Sequence, residues 1–198
     1  MKIYTTIILT AIATFAIGCS KDDDPQTYAI DPNLLAKTYT NNTQMPIPDV
    51  GNVASEIDIE GEGSIADASK VTISVSLRHA FSSDVIIELI APDGEATALV
   101  KRVGGTHDYV FGNILNFNAA FETIIAPGAN EIVIAGGDYA PSEGDRPDPA
   151  NAIVNDLESF LNGKNLDGTW TLRIRDYISG GVGDLEFWQM KFEPGAVE

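Results

Sequence analysis

Cysteine is almost missing: Cys19 is the only one, so the chain can close no internal disulfide and build no cysteine-rich metal site. Positive charge is also scarce. Twelve Lys and Arg stand against 29 Asp and Glu, a formal net charge of −17. Such a surface repels phosphate backbones, and the chain has no basic patch, which argues against a nucleic-acid partner. The two histidines form no H-E-x-x-H pair, and no G-x-S-x-G nucleophile elbow occurs. A contiguous D-x-D-x-D-G calcium loop is absent, as is any fixed-period repeat. Long apolar runs are few. The stretch from Ile3 to Gly18 is uncharged but shorter than the ~20 residues a membrane helix needs.

That stretch follows Lys2 and ends in Ala16-Ile17-Gly18-Cys19, so residues 1–18 read as a secretory signal peptide. Small residues directly before a lone cysteine resemble a bacterial lipoprotein cleavage box, which implies lipidation of Cys19 at a new N-terminus. Asp22, Asp23 and Asp24 follow, and an acidic patch there is similar to the export signal of Bacteroidetes surface lipoproteins. The plainer alternatives are an ordinary signal peptide and a solvated charge run. Several acyl chains on one cysteine anchor stably, since each buried CH₂ contributes about 0.8 kcal/mol. The expected location is therefore the outer membrane, lipid-anchored and exposed on the cell surface. Residues 19–46 are polar with little periodicity and read as a tether. A single domain is expected over 47–193.

Within that domain, apolar residues recur at every second position. Val71, Ile73, Val75 and Leu77 alternate with Thr72, Ser74 and Ser76, the cleanest strand signal in the chain. Val53 to Ile59 alternates weakly, Val85 to Ile90 is a denser run, and Pro92-Asp93-Gly94 reverses it toward Ala96 to Val103. Ile114 to Phe117 and Asn130 to Ala135 are predicted as further short strands. One helix is predicted, with Asp148 as its cap, Pro149 at its first position, Gly163 at its end, and a stripe of Ile153, Val154, Leu157, Phe160 and Leu161. Many short strands, frequent turns and one helix predict an all-β, jelly-roll-like antiparallel β-sandwich with one short helix.

The last stretch, Gly168 to Phe192, organises the rest. Trp170, Leu172 and Ile174 alternate with Thr171, Arg173 and Arg175. After a glycine-rich turn, Leu185 and Phe187 point one way while Trp188, Met190 and Phe192 point the other. An antiparallel hairpin carrying both tryptophans is predicted, with Asp176 and Asp184 at its shoulders. The pattern G-T-W-x-L-x-I-x-D, a glycine-rich turn and G-D-L-x-x-W-x-M-x-F resembles the end of the proprotein convertase P domain (homoB domain). His79, Asp84, Leu89, Pro92 and Gly94 match another segment of that family, and Gly137 to Glu143 and Glu158 to Trp170 match two more. Ala80, Phe81 and Ser83 depart from it, and the glycine that usually follows the second turn aspartate is missing after Asp184. The resemblance covers Ile47 to Phe192. It implies a jelly-roll domain that folds against a subtilisin-like protease and helps stabilise it. The chain is too short to contain that protease as well, so the domain is expected to stand alone.

Calcium takes six to eight oxygen ligands, and an acidic, loop-rich domain can supply them. Asp84, Asp176 and Asp184 are the candidate ligands, with Asp93, Asp108, Asn116 and Asn118 as further ones. The alternative is that Asp176 and Asp184 accept backbone N–H bonds and shape the turn. His79, at a strand end, reads as a structural residue and His107 as an exposed one. Trp170 and Trp188 read as core, leaving Tyr109, Phe111, Tyr139 and Tyr177 as the aromatics available to a ligand. No catalytic residue is assigned. The expected function is a cell-surface binding or adhesion module for a protein or glycan ligand, with calcium as the expected stabilising ion. The alternatives are an accessory subunit for a separately encoded secreted protease or other hydrolase, and a carbohydrate-binding lipoprotein.

Overall fold

A computed structural model describes residues 35–144 and 156–198 of the chain. Cys19, the signal peptide, most of the expected tether and the start of the expected helix (Asp148, Pro149, Ile153 and Val154) lie outside the described residues.

The alternating runs form strands as expected. The first sheet runs in the order β1 (Lys37–Asn41), β11 (Gly183–Phe192), β4 (Val71–His79), β7 (Leu115–Phe117), β8 (Gly137–Tyr139), with β2 (Met45–Ile47) also on β11. The second runs β3 (Asn52–Ile59), β10 (Gly168–Asp176), β5 (Val85–Ile90), β6 (Ala96–Lys101), β9 (Ser142–Glu143). Neighbours are antiparallel except β7–β8 and β6–β9. The inner faces of the two sheets meet over Ile57, Ile59, Val75, Leu77, Leu89, Trp170, Leu172, Trp188 and Met190, all buried. The chain is an all-β sandwich whose successive strands cross repeatedly from one sheet to the other, as in a jelly roll.

The predicted C-terminal hairpin does not form. β10 pairs with β3 and β5, while β11 pairs with β1, β2 and β4, so the turn between them bridges the two sheets. Alternation marks one face of a strand as buried; it does not name the strand's neighbour, and each run met its partner elsewhere. The expected facing of β11 changes too. Its pairing with β4 slips between Leu185 and Phe187, a bulge that inserts one residue. Leu185 and Trp188 therefore both enter the core, and Phe187 is only half-buried.

Three boundaries also move. β1 lies inside the expected tether, because Tyr39 is buried against Phe192 in an edge-on contact of 6.1 Å and holds the strand onto β11. The body continues past 193, where Ala196 is buried and Val197 bridges to Ile65. Asn130 to Ala135 makes only a bridge, Val133 to Asp108, since Ile132 faces solvent instead of a sheet. The helix α1 (Leu157–Leu161) is capped by Asp156, whose side chain accepts from Ser159 N at 3.0 Å. Phe160 meets Trp170 edge-on at 6.3 Å, closing the end of the sandwich farthest from His79.

β3 shows why its alternation looked weak. The core-facing positions Val53, Ser55, Ile57 and Ile59 are all buried, and the serine among them accepts the indole hydrogen of Trp188 at 3.0 Å. On the outer face of the first sheet, polar side chains bond across three strands. Ser74 donates to Asn116 at 2.7 Å and Asn116 donates to Asp138 at 2.9 Å.

Candidate functional site

β4, β10 and β11 end or begin at one pole of the sandwich, where loops 48–51, 80–84, 104–113 and 177–182 converge. Its centre is a buried pair. His79 ends β4 and Asp176 ends β10; both side chains are fully enclosed, with Nε2 of His79 at 3.3 Å from Oδ2 of Asp176. The other ring nitrogen, Nδ1, meets the carbonyl oxygen of Ala80. A carbonyl only accepts, so Nδ1 carries hydrogen, and a second proton must lie between Nε2 and the carboxylate. Whichever atom holds that proton, the pair is neutral as a whole, the condition under which burial is tolerable.

The pair is walled in by backbone. Asp176 Oδ1 accepts from Ile178 N at 3.0 Å, and Asp176 N donates to Gly51 O at 2.8 Å. Tyr177 N donates to Asp84 O at 3.0 Å, and His79 exchanges two backbone bonds with Tyr109. Gly181 and Gly183 pass directly over the imidazole. A Cβ on Gly183 would stand 2.6 Å from His79 Cδ2, closer than van der Waals contact permits. His79 thus has no exposed surface, and both of its ring nitrogens are engaged.

The structure separates the expected calcium ligands. Asp176 and the buried Asp84 lie under the pole, and Asp108 lies beside it with Oδ1 at 3.4 Å from Phe81 N. Asp184 is the second residue of β11, on the outer side, and pairs with Arg78, whose guanidinium also lies 5.2 Å from the Phe111 ring. Asp93 sits at the opposite pole on Lys164, whose hydrogen bond holds the Asp93 carboxyl below its usual range. Asn116 belongs to the outer-face polar chain, and Asn118 is buried, donating to Ser69 O and Val71 O at 2.9 Å each. Among the described residues no three His, Cys, Asp or Glu side chains gather as a metal site. The residues singled out for calcium thus do not fit one ion, and at the pole a histidine, an arginine and backbone N–H groups meet their carboxylates instead.

Two aromatic and histidine expectations also fail. Tyr109 is buried, not displayed: its backbone pairing to His79 carries the ring inward, and burial pushes its hydroxyl above the usual range. That hydroxyl has no hydrogen-bond partner. Tyr109→Phe is therefore expected to leave stability unchanged or raise it by about 1 kcal/mol, measured by denaturant unfolding, because an unsatisfied buried donor disappears. His107 is half-buried, with its ring nitrogens toward Gly104 O and Gly128 O. Trp170 and Trp188 are fully buried as expected, while Phe111, Tyr139 and Tyr177 are half-buried.

Sequence reasoning missed Glu88. Strand alternation puts it on the outer face of the second sheet, yet it is fully buried beneath Arg173 and Arg175, which both donate to its Oε2. The signal was present in Arg173 and Arg175 at alternate positions of β10, opposite β5. Also missed were Val50 and Phe81, apolar residues held at φ 48° and 60°.

No protein-family profile matches the sequence. Over 180 residues the chain is 22% identical to leupeptin-inactivating enzyme 1 of Streptomyces exfoliatus, covering 87% of this chain and 31% of that protein. It is 23% identical to the extracellular basic protease of Dichelobacter nodosus, covering 79% of this chain and 18% of the protease. The transglutaminase-activating metalloprotease of Streptomyces mobaraensis is 23% identical, covering 78% and 15%. The chain thus spans less than a third of the length of these relatives. Among solved structures it is similar to the serine protease of Aeromonas sobria in complex with its chaperone, at TM-score 0.47 and 16% identity, covering 78% of this chain and 26% of the protease.

Proposed function

We propose that this chain is a non-catalytic module that docks onto a secreted protease and steadies it, held at the cell surface through Cys19. The observation that carries the proposal is the pattern of similarity: 78–87% of the chain corresponds to a minor part of three much longer proteins named as proteases or as a leupeptin-inactivating enzyme. A segment reused in that way reads as an accessory module. The resemblance to the convertase P domain points the same way, since that domain braces a protease by packing against it. The chemistry of the pole agrees, because an enclosed imidazole cannot reach a substrate proton. A glycan reading has less support: both tryptophans are buried, and none of the named relatives is a carbohydrate-binding protein by its name.

Deleting the gene in its own cells tests the reading. The expected result is a shortened half-life of secreted proteolytic activity, restored by the full chain; an unchanged half-life sinks the proposal. Anchoring is tested separately. Cys19→Ser is expected to move the protein from the detergent phase to the aqueous phase or the medium, read by phase partition and immunoblot, while a variant that stays in the detergent phase removes the lipid anchor.

A further inference from the structure

We infer that the pole above His79 and Asp176 is the docking face, and that its occupant is a folded protein with an apolar patch ringed by lysine and arginine. The inference rests on the protease-docking reading and specifies where and by what chemistry it happens. Of the seven exposed large apolar side chains among the described residues, four lie on three loops of this pole: Val50, Phe81, Ile178 and Val182. These loops are locked to one another. Gly180 N donates to Asp49 Oδ1 at 3.1 Å, and Gly181 lies against the His79 ring and the Ala80 carbonyl. The apolar residues are thus presented on a rigid base, which reduces the entropy a partner must overcome.

Backbone strain marks the same residues. Val50 and Phe81 occupy the left-handed region, where a β-branched or aromatic side chain costs stability and glycine costs none. A chain selected for stability alone would place glycine there; a side chain kept at such a position suggests a role outside the fold.

Charge selects the occupant. Asp49 and Asp108 stand on the loops of this pole, which carry no lysine or arginine over 48–51, 80–84, 104–113 and 177–182; Asp84 is buried, and Arg78 beside the pole is taken up by Asp184. With a net charge of −17 per chain, a second copy meeting this face would bring like charge against like, and an anionic membrane would do the same. A cationic rim on the partner is complementary and also speeds encounter.

The test places a photo-crosslinking amino acid at Val182, or at the exposed Glu60 of the opposite pole, in the full-length protein on its own cells. Capture of a secreted protease from position 182 and not from position 60, falling as salt rises, is the expected result. Capture from position 60 alone overturns the docking face and leaves the protease reading standing. Self-crosslinks or lipid adducts at 182 overturn the chosen occupant, and no protease from either position overturns both. Val50→Gly and Ile178→Ser, each with the crosslinker kept at position 182, supply a second measurement: capture at the face should fall about tenfold, as for a hot-spot truncation, with the thermal midpoint unchanged or higher. A clear drop in that midpoint would show that these side chains serve the fold, and so would count against the inference.

Discussion

Asp176→Ala is expected to cost about 3–5 kcal/mol of folding stability, the loss typical of a buried pair deprived of one partner. The mutation leaves Nε2 of His79 facing nothing, inside a site with no solvent access. It also frees Ile178 N, which Asp176 Oδ1 accepts at 3.0 Å, so the bridging turn loosens. Asp184→Ala is the control. It stands across the same turn, but its partner Arg78 is 61% exposed and can return to water, so the expected loss is under about 1 kcal/mol. Both values come from urea unfolding, where the midpoint should fall and the slope stay constant. The comparison also tests calcium. If both aspartates held one ion, both mutations would cost stability, and only with calcium present. The expected result is that the thermal midpoint is the same in calcium and in EDTA, with the Asp176 penalty equal in each. A penalty that appears only in calcium would restore the metal reading.

Trp188→Ala should be comparably severe, about 3–5 kcal/mol, because the indole is fully enclosed between the sheets and its removal leaves a cavity. Part of that cost is polar. The indole N–H donates to Ser55 Oγ at 3.0 Å, and neither group can reach water. Ser55→Ala alone is expected to cost about 1–3 kcal/mol, since it strands a buried donor. In a Trp188→Phe background that donor is gone, so Ser55→Ala should cost much less there. A double-mutant cycle of chemical unfolding reads the difference directly. Additive losses would mean that the hydrogen bond contributes nothing, and that Ser55 matters only for its size.

The pairing of Trp188 with Ser55 also explains where sequence reading loses its grip. A serine on the inner face of β3 weakened the apolar alternation, although the strand alternates cleanly between buried and exposed. The residue that justifies the serine lies 133 positions away, and nothing local announces it. Glu88 behaves in the same way: a carboxylate in an apolar run is explained only once Arg173 and Arg175 arrive from β10. Tyr39 makes a similar case for β1, whose polar surroundings read as tether until Phe192 covers it.

By itself the sequence determined the all-β class, the strands of the core and the burial of both tryptophans. Each of these follows from period-two patterning or turn chemistry, which act over a few neighbouring residues. Only the tertiary structure decided that β10 and β11 lie in different sheets, that a bulge turns Leu185 and Trp188 to the same side, and which aspartates meet a histidine or an arginine. Those outcomes depend on hydrogen bonds and charge pairs between segments far apart in the chain, and local pattern carries no information about which segment arrives opposite which.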